Sequence, residues 1–152
     1  MSEDEKYIRR TIDLARQARE RGDHPFGALL VADGQIVLEA ENTVVTTNNP
    51  THHAELNLVQ RAWHKLPAEL IQKAALFTST EPCAMCTGAI IWSGIRRVVF
   101  SFPALELGKL ANDRFCLPCI TLFDKAGQKT EVVGPILAGL GREVHEGCWK
   151  PA

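Results

Sequence analysis

No charge of one sign dominates this sequence. Seventeen lysines and arginines stand against eighteen acids, a net charge of −1. Proteins that grip nucleic acid usually carry a basic face or stripe, so nucleic acid is not the expected partner. Long apolar runs are missing too. The longest fall far short of the roughly 20 residues that a membrane-spanning helix needs. The opening residues, Met1-Ser2-Glu3-Asp4-Glu5-Lys6, are acidic and polar, whereas a secretory leader is basic and then apolar. A cytoplasmic protein is the expectation, without a membrane partner. In that compartment the five cysteines read as thiols or metal ligands rather than disulfides. No internal repeat, low-complexity tract or linker divides the chain. The 152 residues, 45% hydrophobic and 23% charged, suit one globular domain, 1–152, large enough to bury a sizeable core.

Periodicity then orders the chain. Residues 4–21 predict a helix, with Ile8, Ile12, Ala15 and Arg19 on one face beside Thr11 and Ala18, and Gly22 as its stop. Phe26 to Ala32 is an uncharged strand. Asp33-Gly34 is a hairpin turn, and Gln35 to Asn42 returns antiparallel. Residues 43–52 read as a polar loop. A second helix runs from about His52 to His64, capped by Thr51, with Ala54, Leu58 and Ala62 on one face. Pro67 closes a loop region. Ala74 to Thr80 is a strand, Cys83 to Ser93 a helix ended by Gly94, and Arg97 to Ser101 a buried strand. Residues 104–113 lean helical, 116–130 show no clear pattern, 131–133 form a short strand, and 137–146 a helix weakened by Gly139 and Gly141. Strands alternating with helices imply parallel pairing for the later strands.

Two short stretches carry the chemistry: His53-Ala54-Glu55 and Pro82-Cys83-Ala84-Met85-Cys86. An imidazole and two thiolates make three ligands for zinc and leave a fourth position for water, the pattern of a catalytic zinc site. Both stretches open helices, where free N–H groups and the helix dipole favour thiolates. Glu55 is left over as a carboxylate able to move protons between water, a ring nitrogen and a leaving amine. Cys116-Leu117-Pro118-Cys119 is a second C-x-x-C. It leaves open a four-cysteine structural zinc site or a redox pair, although the first would leave His53-Ala54-Glu55 without a purpose. His52 competes with His53 on spacing, but only His53 gives H-x-E. Cys148 reads as an inert thiol; His24, His64 and His145 read as ordinary surface or core histidines.

H-x-E followed by P-C-x-x-C is the signature of zinc nucleobase deaminases, and the chain resembles the cytidine-deaminase-like superfamily over roughly residues 7–148. The likeness rests on His24-Pro25-Phe26-Gly27-Ala28, Asn42, Asn49-Pro50-Thr51-His52-His53-Ala54-Glu55 and Thr80-Glu81-Pro82-Cys83-Ala84-Met85-Cys86-Thr87-Gly88-Ala89-Ile90. The branch is the one holding bacterial guanine deaminases, tRNA adenosine deaminases and fungal cytosine deaminase. Phe26 looks most like the guanine enzymes. The resemblance implies an α/β fold, a three-layer α/β/α arrangement with a mixed five-stranded sheet. It also implies zinc on His53, Cys83 and Cys86, Glu55 as proton shuttle, and a homodimer acting on a nucleobase. Asn42 would hydrogen-bond the base, Phe26 would stack on it, and the Ala54 backbone would hold its reacting edge. Asp113 falls where guanine deaminases place a second carboxylate. Trp92 is expected to add a second flat apolar surface for a purine. Glu143, Glu146 and Trp149 read as a solvated helix face rather than a cover for the site.

Overall fold

Ser2 opens the first helix by accepting the Glu5 N–H at 3.1 Å, and Gly22 closes it in the left-handed region at φ 102°. This computed structural model describes residues 1–112 and 116–149. Helix α1 (Glu3–Arg21) turns Tyr7, Ile8, Ile12, Leu14, Ala15 and Ala18 inward. Strands β1 (Gly27–Ala32) and β2 (Gln35–Glu41) pair antiparallel across Asp33-Gly34, both at positive φ. All of β1 is buried, because helices cover both of its faces.

The chain continues through α2 (Val44–Thr47), α3 (Ala54–Lys65), α4 (Ala68–Lys73), β3 (Ala75–Thr80), α5 (Ala84–Ser93), β4 (Arg97–Phe102), α6 (Ala104–Ala111), α7 (Cys119–Lys125), β5 (Glu131–Val133) and α8 (Ala138–Glu143). The strand order is β2-β1-β3-β4-β5. β1 runs antiparallel to β2 and β3, while β3, β4 and β5 are parallel. The expected mixed five-stranded sheet is therefore present. One core packs Ala54, Leu58, Ala62, Ile90 and Phe123 from α3, α5 and α7 onto Leu30, Leu76 and Val98. A second core packs Tyr7, Ile8, Ile12 and Ala15 of α1, with Val144, onto Leu29, Phe77 and Val99. These two cores make the three layers. Among the described residues no helix is long and apolar enough to cross a membrane.

Several local expectations differ. The polar stretch 43–52 contains the short helix α2, ended by Asn48 in the left-handed conformation. Pro67 closes its loop as expected, but as the N-cap of a further short helix, α4, that the periodicity does not show. Helix α7 lies inside the patternless 116–130 stretch and starts after Pro118. All three helices are too short to show a period. The cap of α3 is His53, not Thr51; the Thr51 hydroxyl instead donates to Asn49 Oδ1 at 2.7 Å.

Two close approaches require glycine. A Cβ on Gly27 would sit 2.5 Å from the Thr11 carbonyl oxygen and from Leu14 Cβ, so α1 rests directly on the start of β1. A Cβ on Gly141 would sit 2.5 Å from Ser101 Oγ, so α8 lies against β4. The second contact carries the chain beyond α8 back over the end of β3.

Candidate metal centre and active cavity

Strand β3 ends at Thr80, and the next residues lead straight into α5. His53 and Cys83 occupy the same position on two helices: each is the N-cap, extended at φ −71°, ψ 157° and φ −69°, ψ 173°. An N-cap side chain commonly bends back to its own helix, but neither of these does. They turn toward each other, with Cys83 Sγ 3.6 Å from His53 Nδ1. Cys86, three residues on and fully buried, completes the group. The ligand atoms of His53, Cys83 and Cys86 all lie within 4.8 Å of one another. Zn–S bonds of about 2.3 Å and Zn–N bonds of about 2.1 Å at tetrahedral angles separate sulfur from nitrogen by roughly 3.6 Å. The residues therefore fit zinc in donor type and spacing. Cys116 and Cys119 are not in this group, and the fully buried Cys119 thiol is pushed up by burial and by Glu81.

The electrostatics suit a cation. The Cys83 thiol is drawn down to about 4, first by the Cys86 thiol that donates to it and then by His53, against the cost of burial. Cys86, as the donor, is pushed up. His53 is raised, mainly by its hydrogen bond with Cys83 and also by Glu55. Glu55 is 4% exposed. Burial raises its carboxyl, the Thr78 hydroxyl that donates to Oε1 pulls it back, and the Cys83 charge raises it again. A carboxyl with a raised pKa beside ligands that favour a cation can hold a proton and release it.

A cavity of about 380 Å³ opens over this group. His53, Glu55 and Cys83 line it together with His24, Phe26, Asn42, Glu81, Leu107, Ala111, Asn112 and Trp149. Asn42 is buried, and its N–H donates to the Phe26 carbonyl at 3.1 Å, which ties the two backbones together. Its Oδ1 accepts the Val44 N–H at 3.0 Å, which leaves the amide nitrogen as its principal offering to a ligand. Ala54 is the first helical residue of α3, its methyl packed into the core; any part it plays falls to its backbone. Trp92 is 88% exposed and absent from the cavity wall. Nine residues beyond Cys83 along α5, it stands roughly 13 Å up the helix axis. Asp113 lies outside the described residues.

Four wall residues were not among the expected site residues, although His24 and Glu81 lie within the stretches that carry the family likeness. His24, read as an ordinary histidine, meets Trp149 at a tilt of 57° with 5.4 Å between ring centroids. Glu81 accepts the Ala104 N–H at 2.9 Å and the Cys119 N–H at 2.7 Å, tying the starts of α6 and α7 to the end of β3. Leu107 arrives on α6. Trp149 is part of the wall rather than of a solvated face, while Glu143 and Glu146 are exposed as expected. The adjacency of His24 to Pro25-Phe26 and of Glu81 to Pro82-Cys83 was the signal within reach of the sequence; Leu107 and Trp149 had none.

Residues 1–102 match the family model of the cytidine and deoxycytidylate deaminase zinc-binding region. The chain belongs to that family. Family members bind zinc in this region, which is where His53, Cys83 and Cys86 stand together. A Schizosaccharomyces pombe protein described as a probable cytosine deaminase is 36% identical over 151 residues, 94% of this chain and 90% of the relative. The guanine deaminase of Bacillus subtilis is 40% identical over 98 residues, 64% of this chain and 63% of the relative. The tRNA-specific adenosine deaminase of the same organism is 37% identical over 100 residues, 66% and 62%. This chain thus spans somewhat under two thirds of both Bacillus relatives. The solved guanine deaminase of Nitrosomonas europaea superposes with a TM-score of 0.76 at 25% identity, covering 92% of this chain and 83% of that one.

Proposed function

We propose that this protein hydrolytically deaminates a free nucleobase, converting guanine to xanthine and ammonia. The observation that carries the reading is the cavity itself: a slot of about 380 Å³ whose walls include the rings of His24, Phe26 and Trp149, with Glu55 beneath. Its volume lies near the lower end of ligand pockets, roughly 300–1,000 Å³, and its flat walls suit one planar heterocycle.

When bound, zinc makes water acidic enough to supply hydroxide at neutral pH. Glu55 takes the proton released, delivers it to a ring nitrogen and then to the departing amine; water and the exocyclic amine thus become a carbonyl and ammonia. Thr78 holds one oxygen of Glu55. Asn42 donates to the base edge, Phe26 stacks on its face, and the Ala54 backbone holds the reacting edge. Attack at a carbon between two ring nitrogens calls for a second acid–base group, which the family resemblance assigns to Asp113. The same resemblance leads us to propose a homodimer, read by sedimentation equilibrium.

An ammonia-release screen over free bases, nucleosides and a tRNA anticodon hairpin tests this reading. Guanine should head the list, and Asn42→Ala should lower kcat/KM severely. Cytosine is the second reading, favoured by the alignment of the Schizosaccharomyces pombe relative over 94% of the chain. Faster turnover of cytosine or a nucleoside would replace guanine and keep the zinc chemistry. Inosine forming in the hairpin at useful rates would make a tRNA the substrate. Silence toward every amine-bearing base would favour a zinc-stabilised interaction domain.

A further inference from the structure

From the end of β3 to the cavity wall, three side chains outside the metal group form a hydrogen-bonded line. Trp149 Nε1 lies 3.1 Å from His145 Nδ1, and His145 Nε2 lies 3.0 Å from Thr80 Oγ1. An indole nitrogen can only donate. His145 Nδ1 must therefore accept, and the proton of the neutral imidazole must sit on Nε2, donating to Thr80. Both ring nitrogens are used, and the tautomer is decided.

The imidazole has no room to turn. It is 1% exposed, stacked on Phe102 at 5.3 Å and 29°, and meets Phe26 edge-on at 5.2 Å and 62°. Burial and the charge of Arg19 lower its pKa to about 4, so it stays neutral near pH 7. Its backbone is fixed as well. Arg19 Nη1 donates to the Val144 carbonyl at 2.8 Å, and the Gly141 contact seats α8 on β4. Trp149 is the opposite case. It stands beyond α8, half exposed. A half-exposed side chain with no anchor samples several rotamers. This one faces Phe26 at 6.1 Å and His24 at 5.4 Å between centroids, and so forms one wall of the slot.

We propose that His145 is a positioning residue: anchored on Thr80, it holds the Trp149 indole as a wall of the cavity and thereby sets affinity for the planar substrate. This rests on the reading of the cavity as a nucleobase site. A wall set in advance costs the substrate no ordering when it binds. The effect belongs to binding rather than to proton transfer, because neither Thr80, His145 nor Trp149 belongs to the ligand group, and the hydroxyl that holds Glu55 is that of Thr78. Zinc content, Trp149 orientation and KM should therefore separate.

The chain has three tryptophans, so Trp63→Phe with Trp92→Phe leaves Trp149 as the sole indole reporter. In that background His145→Phe keeps a ring but removes both nitrogens. The expected result is a red-shifted Trp149 emission, unchanged zinc content, KM raised about tenfold and kcat within about twofold, the size of one lost hydrogen bond. Trp149→Phe should raise KM similarly, and the double variant should do no worse than either single one. His145→Asn, whose carboxamide oxygen can take the Nδ1 place, should recover part of the affinity. Kinetics use whichever free base releases ammonia, so failure of guanine leaves the proposal standing. If no base is deaminated, the functional reading fails while the emission still reports whether His145 orients Trp149. Unchanged emission and KM in His145→Phe and His145→Asn would overturn the proposal. So would a fall in zinc content and kcat with KM unmoved, the mark of a merely structural role.

Discussion

At the scale of single residues, the centre separates ligands from chemistry by two positions. His53 caps α3 and faces Cys83, while Glu55, inside the first turn, points to Thr78 on β3. A buried carboxylate left unpaired would be costly. Thr78 lowers that cost while burial keeps the carboxyl easy to protonate. Glu55→Gln fills the same volume and cannot cycle a proton. It should retain zinc and melting behaviour while kcat falls by about 10² to 10⁴-fold, measured by ammonia release beside metal analysis. Near-normal turnover would remove Glu55 from the mechanism. Cys83→Ala should lose zinc, because only two ligands remain. Cys116→Ala should keep it at full occupancy, and the reverse pattern would point to the four-cysteine alternative.

Among the elements, α1 and α8 cover one face of the sheet, and each makes its closest approach at a glycine. Gly27 receives α1 and Gly141 lets α8 reach β4. Gly139, in the same helix, has nothing within 4 Å of an added Cβ. The two glycines that weakened the predicted last helix are thus different in kind. Gly141→Ala must push α8 off Ser101 and should destabilise by about 1–3 kcal/mol, as overpacking does. Gly139→Ala should stabilise by about 0.5–1 kcal/mol through helix propensity alone. Urea denaturation distinguishes them; equal effects would mean that α8 does not pack on β4 as described. Because α8 leads to His145, Gly141→Ala should also raise KM, whereas Gly139→Ala should not.

For the whole molecule, two buried groups predict how stability falls in acid. His145 drops from 6.5 to about 4 through burial and the charge of Arg19. Between those values the unfolded chain binds a proton that the folded one refuses, so stability declines as pH falls from 6.5 and the loss is complete near 4. Asp23 behaves differently. Burial alone would raise it, but the Thr46 hydroxyl and N–H and the Arg21 guanidinium bring it from 3.8 to about 2. Its contribution is present above pH 4 and lost as pH falls toward 2. Denaturant midpoints across pH 7 to 2 check both windows. Relative to His145→Phe, the wild type should lose stability across the upper window and run parallel below it. Relative to Asp23→Asn, it should lose stability only across the lower one. Slopes unaltered by either substitution would show that these groups titrate alike in both states.

By itself, the sequence determined the order of most elements, the antiparallel hairpin, the parallel later strands and the group His53, Cys83, Cys86 and Glu55. The physical reason is locality. Hydrophobic period, turn chemistry and the spacing of ligands within one helical turn act over a few residues, and each is written in neighbouring letters. Tertiary structure alone decided what encloses the cavity. Glu81 gathers α6 and α7, Trp149 returns from beyond α8 to His24, and Trp92 is left outside by the rise of its own helix. Phe26 and Trp149 are similar rings to a reader of composition, as Trp92 is. Which of them meet depends on a glycine contact on β4 and a histidine held by Thr80. Those contacts span dozens of residues and leave no period in the chain.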